Sequence, residues 1–151
     1  MAYFLLKFIH ITAAMFWIGS VLALAVLNIS LVRSQDKQGL VALAKHSEFL
    51  GSTVIGPSAF LTLVAGVVMA FVFNLGMPFW IVWGLTAALI SMGLGTTLIS
   101  RAGVRLGEVA TSPSSGKVQL QPVLKRLTIL NIAGLLLLLS AVWVMVFKPA
   151  L

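Results

Sequence analysis

The sequence predicts an all-α integral membrane protein, an antiparallel bundle of four transmembrane helices, and three observations carry this. Of the 151 residues, 60% are hydrophobic and only 9% charged, against about 25% charged in a soluble domain. Four long apolar runs each match the roughly 20 residues that a helix needs to cross the hydrocarbon of a bilayer. The basic residues are also unevenly placed. Eight of the ten Lys and Arg fall in the first and third connections between the runs.

The first run is Tyr3 to Val32, broken only by Lys7. Its length and the stop-transfer Arg33 predict a permanent helix rather than a cleaved signal peptide, although Ala23-Leu24-Ala25 offers a small-residue site. The second run is Phe49 to Phe73. The helical rhythm of Leu40, Val41, Leu43 and Ala44 extends it backwards, so its helix is expected to start near Gly39 and project about two turns from the membrane. Pro57 removes one backbone hydrogen bond and predicts a kink. The third run is Phe79 to Ser100, after the short break Asn74-Leu75-Gly76-Met77-Pro78. Ala87, Ser91 and Gly95, and likewise Gly84, Ala88 and Met92, recur at four-residue spacing and predict close helix contacts. The fourth run is Leu127 to Phe147, preceded by the flexible stretch Ala110 to Gln121. Uniform apolar runs exclude a β-barrel, whose strands alternate. The expected helices are about 3–32, 40–73, 79–105 and 123–147, in one domain.

The basic residues of the first connection are Arg33, Lys37 and Lys45; those of the third are Arg101, Arg105, Lys117, Lys125 and Arg126. The positive-inside rule places these connections in the cytoplasm and both termini outside. The net charge of +7 is therefore a topology signal, with a secondary attraction to anionic lipid, and nucleic acid is not an expected partner. The chain has no Cys, which excludes disulfides, thiolate metal sites and Cys nucleophiles. No Asp or Glu lies inside a span, which speaks against a carboxylate proton relay or a cation-coupled transporter.

Polar side chains inside a span are the default sites of function. His10 is the most informative. It precedes Asn28 by 18 residues, five full helical turns, so the two share a face. Lys7 and Trp17 lie on or beside that face, and Lys7, His10, Trp17 and Asn28 are expected to turn towards other helices. Two readings of His10 stand side by side: an axial ligand to haem or a ligand to another metal, or an imidazole that packs helices by hydrogen bonding. His46 lies about 24 Å from His10 along the bundle by helical rise, too far to share one metal within a chain. Candidates level with His10 are Met69, a thioether axial ligand or a gap-filling core residue, then Trp83, Thr86, Ser140 and Trp143. Lys7, one turn above His10, either snorkels outward or holds a haem propionate. Tyr3, Trp80, Trp83 and Trp143 suit an aromatic belt at the outer interface.

Lys7-Phe8-Ile9-His10 followed by Trp17-Ile18-Gly19-Ser20 resembles the first helix of three groups of bacterial membrane proteins. These are an uncharacterised family of small predicted integral membrane proteins, the membrane-integral protoporphyrinogen oxidases and the copper-resistance D family. Pro57 to Thr62, continuing to Gly66, is similar to the second-helix motif, and Met145 to Pro149 to the end of the uncharacterised family. That family matches nearly the whole chain. The resemblance implies a bacterial inner membrane protein. In the oxidase group a first-helix His is associated with haem, and it maps onto His10; the Lys which that group carries in its third helix is missing here. The resemblance thus implies haem b or a metal at His10, for redox or metallation chemistry, without making the chain an enzyme; Lys7, Trp17 and Met69 are the residues that the helical spacing and depth set around it. The alternative is an interaction or assembly subunit with no cofactor. Expected partners are the lipid bilayer, a second copy of the chain and a membrane or periplasmic redox protein.

Overall fold

The computed structural model describes residues 1–34, 36–101, 104–105 and 117–148. All regular structure among them is helical. The elements are α1 (Ala2–Ser34), α2 (Lys37–Leu50), a π-helical segment (Gly51–Ile55), α3 (Gly56–Val72), α4 (Phe79–Gly93), a second π-helical segment (Leu94–Ile99) and α5 (Lys117–Phe147). Four helical stretches are long and apolar enough to cross a membrane: Ala2–Leu31, Val41–Val72, Phe79–Ile99 and Lys125–Phe147. α2, the first π segment and α3 make up the second of these.

Each break has a local cause. Asp36 caps α2, its carboxylate accepting the Gly39 N–H at 3.0 Å. This cap starts the helix at Lys37, a little before the apolar rhythm does. A side chain on Gly39 would meet Asp36 Oδ2 and Leu31 Cδ2 at 2.6 Å each, so glycine lets α2 fold back on α1. The bend expected at Pro57 takes the form of the π segment just before it. Pro57 has no N–H for the carbonyl four residues back, and Gly56 N–H bonds instead to Gly51 O, five residues back.

α3 ends in a Schellman motif. Asn74 adopts φ 47°, Leu75 N–H reaches Ala70 O at 3.1 Å, and Asn74 N–H reaches Phe71 O at 3.3 Å. This satisfies carbonyls that the last turn would leave bare in lipid. Pro78, extended, then opens α4. α5 starts at Lys117, ahead of its apolar run, with Pro122 near its beginning. Of the flexible stretch expected over 110–121, residues 110–116 lie outside the described residues.

The four spans form a ring. α1 packs on α3, α3 on α4, α4 on α5, and α5 returns to α1. The core at its centre is small: Trp17, Ala59 and Leu138, with Ile18, Val21, Ile55 and Ala88 against them. Little apolar area needs burying, because lipid tails are as apolar as Leu and association rests on close packing. Gly84, Ala87 and Ser91 are buried on α4, and Met145 of α5 lies where a Gly84 side chain would stand. Gly95 has no neighbour of this kind, so the small-residue seam is Gly84-Ala87-Ser91, shorter than the four-residue series suggests.

Candidate functional site

α1 presents its polar residues to two different neighbours. His10 meets α3: its Nδ1 lies 2.7 Å from the backbone oxygen of Thr62. A carbonyl can only accept, so Nδ1 carries the proton and the neutral ring keeps its lone pair on Nε2. Nε2 has no hydrogen-bond partner among the described residues. It is also not one of the fully enclosed unpartnered polar atoms, so it keeps some accessible surface.

The local sequence of α3 explains this fit. In a helix the Thr62 carbonyl points along the axis towards residue 66, where a side chain would cover it. Residue 66 is glycine, and a Cβ there would stand 3.0 Å from His10 Cε1 and 3.2 Å from Nδ1. The imidazole occupies the space that Gly66 leaves. The Thr62 hydroxyl turns back to Ser58 O at 2.7 Å and leaves the carbonyl to His10.

The register follows from these contacts. Tyr3 meets Phe73 edge to face at 5.1 Å between centroids, His10 meets Gly66, and Trp17 shares the core cluster with Ala59. In each pair the advance on α1 matches the retreat on α3. Met69 is therefore level with Lys7, about one turn outward of His10, and is half-buried. Trp17 is 4% exposed in the core. Lys7 departs from the expectation that it faces other helices. It is exposed, because a flexible ammonium near a helix end keeps its hydration by reaching out of the bundle. His46 is exposed on α2, and the twenty residues between it and Gly66 put it about 30 Å from His10 along the helix.

The other residues expected level with His10 do different work. Trp83 Nε1–H donates to Ser140 Oγ at 3.2 Å, tying α4 to α5. The Thr86 hydroxyl returns to Val82 O at 2.8 Å. Trp143 is 63% exposed and lies against Phe147. Lys148 Nζ sits 5.1 Å over the Trp80 ring. With Tyr3 and Phe73, these residues make an aromatic girdle at the end of the bundle that holds the 73–78 turn.

Asn28 meets α5. It is 1% exposed, and its Nδ2 donates to Thr128 Oγ1 at 3.1 Å while Oδ1 has no partner. Asn131, one turn beyond Thr128, is buried as well. Sequence reasoning missed this pairing. Its signal was the presence of two polar residues, Thr128 and Asn131, at the start of an otherwise apolar run.

Among the described residues no three His, Asp or Glu side chains come together in a way that could hold a metal ion. His10 stands as a single imidazole donor with its proximal nitrogen anchored. Neither the curated proteins nor the solved structures include a match to this chain. Residues 4–149 match the family described as predicted integral membrane protein, DUF2269, and with four helices able to span a bilayer the chain belongs to that family.

Proposed function

We propose that this membrane protein binds haem b in the half of the bundle that carries the 73–78 turn, with His10 Nε2 as axial ligand. The observation that supports it is the 2.7 Å bond from His10 Nδ1–H to Thr62 O. A ligating His almost always donates its other ring N–H to a carbonyl or carboxylate, which fixes the tautomer and raises the basicity of the ligating nitrogen. Here that bond is in place, and the nitrogen left over is unpartnered and open.

The donor set favours haem over a bare ion. Zn²⁺ is held by three or four protein ligands, and one imidazole does not supply them within a chain. Haem brings four nitrogens of its own and needs one axial imidazole. Lys7, three residues before His10 and therefore on the same side of α1, is suited to pair with a propionate. Met69, one turn outward on α3, is the thioether that would help hold the group at this level, and Trp17, two turns inward, closes the bundle beneath. Haem b supplies one-electron redox chemistry when bound. The exchange partner would be another membrane or periplasmic protein, or a second copy of this chain. The basic ends of the helices face the cytoplasm on this reading and both termini face outward, as positive-inside placement in a bacterial inner membrane requires. The first-helix resemblance to the haem-associated oxidase group supports the same assignment.

A second reading rests on the same bond. The His10–Thr62 contact also staples α1 to α3, which is all that an assembly or interaction subunit without a cofactor needs. Absorption spectroscopy separates the two. Protein purified in detergent from haem-replete cells should show a Soret band, and His10→Ala should lose it while eluting and unfolding like the parent. A colourless parent protein under those conditions supports the staple. Full haem content in His10→Ala removes the assignment.

A further inference from the structure

The four spans pack as two pairs. α1 lies most closely on α3 and α4 on α5, and the pairs meet across the narrower α1–α5 and α3–α4 seams. Specific contacts lock each pair internally. In the first, His10 bonds Thr62 and Tyr3 meets Phe73. In the second, Trp83 bonds Ser140, Met145 fills the space beside Gly84, and Lys148 lies over Trp80. Between the pairs stands the Asn28–Thr128 bond.

That bond leaves polar capacity unused on both sides. Asn28 is 1% exposed, and its Oδ1 is enclosed without a partner. Asn131 is 7% exposed, and its amide has no partner among the described residues. Buried polar side chains are mostly paired, so two unmet amides near one seam call for a physical account. Asn131 follows Thr128 by three residues, about 4.5 Å of helical rise. One turn of α5 thus separates the partner that Asn28 has from one able to meet both ends of its amide. The cost of such a step lies in packing. Leu138, which stands against Trp17, would move on, and the smaller Ala141, buried three residues further along, would replace it.

We infer that this seam is a two-position ratchet. The α4–α5 pair slides one turn along α1 towards the basic end, and Asn28 exchanges Thr128 for Asn131. The Leu138–Trp17 contact favours one position and the amide pair favours the other. One-turn steps between packed elements are an established form of switching. His10 and Thr62 both lie in the α1–α3 pair, so their bond is the same in both positions, and the inference does not depend on the haem assignment.

Double electron–electron resonance on the full chain in bilayers tests it. The chain has no Cys, so spin labels attach only at Met15→Cys and Ile129→Cys, both exposed positions. The slide adds three residues of rise between them, so the labelled protein should give two distances about 4 Å apart. Asn131→Leu should remove the longer distance and keep the shorter. A single distance before that substitution overturns the ratchet, as does a longer distance that survives it. Cross-linking in membranes checks the direction of the step. Val21→Cys/Leu135→Cys is level in the observed register, seven residues from Asn28 and Thr128 on either side, and Leu24→Cys/Leu135→Cys is level in the shifted one. Both pairs should form disulfides, and Asn131→Leu should reduce the second several-fold while leaving the first. Absence of the second link, or its persistence in Asn131→Leu, overturns the inference.

Discussion

His10 and Asn28 stand on one face of one helix, five turns apart, and the two ends of the bundle treat them in opposite ways. Near the 73–78 turn, the imidazole is anchored at one nitrogen by a backbone carbonyl and left open at the other. Near the basic end, the Asn28 amide is enclosed on all sides, bonded at Nδ2 and unpartnered at Oδ1. An open lone pair can take a ligand. An enclosed one cannot, and it costs about 1–3 kcal/mol while it stays unmet. The same polar stripe thus keeps an unpartnered imidazole nitrogen at one end and pairs helices at the other, and the neighbour across the contact decides which.

The largest way to break this contrast, after loss of His10 itself, is to refill the space at Gly66. In Gly66→Val the Cβ alone would stand 3.0 Å from His10 Cε1, and the branched side chain drives the ring off the Thr62 carbonyl. Haem content per chain, read from the Soret band, should fall several-fold, with an overpacking cost of about 1–3 kcal/mol in stability. Unchanged haem content would show that the anchoring bond is irrelevant to binding.

A smaller effect sharpens the other side. Thr128→Val leaves both ends of the Asn28 amide without a partner and should destabilise the bundle by about 0.6 kcal/mol, at most ~1.7, in reversible detergent unfolding. Asn28→Leu removes the unmet oxygen altogether and should be neutral or stabilising, since replacing an orphaned polar group by an apolar one of similar shape relieves its desolvation. Haem content should stay constant in both. A large loss in Asn28→Leu would mean that Oδ1 has a partner in the membrane after all. The smallest effect belongs to His46→Ala. With about 30 Å of helix between it and the His10 level, the Soret band should keep its position and intensity, and a change in either would point to His46 as a ligand.

The spans and the inward placement of His10 were legible in the sequence because hydropathy and intramembrane polarity are properties of single positions. The partner of His10 was not. Every residue of α3 carries a carbonyl, and only the glycine at 66 marks which one is uncovered. Met69 was placed level with His10 by counting from the membrane edge, whereas the observed register sets it one turn outward, beside Lys7. The register depends on where α2 turns back against α1, which the Asp36 cap and the close approach at Gly39 decide and hydropathy does not record.

The π segment at Gly51–Ile55 works as a phase slip between two faces of the second span. Counting back from Ala59 in regular turns of 3.6 residues reaches Glu48 after three turns and the neighbourhood of Lys45 after four. An unbroken α-helix would therefore roll both charges against α1. The wider turn absorbs the surplus residue, and Gly39, Leu43 and Ser47 take the half-buried positions while Glu48 and Lys45 remain exposed. Straightening this segment at full length would rotate its basic end by about 100° relative to the His10 site, whereas deleting one residue along with the wide turn would leave the two ends in their present phase. The two ends of the second span can keep different surfaces, one for the membrane edge and one for the interior, because the widened turn lets each choose its own azimuth.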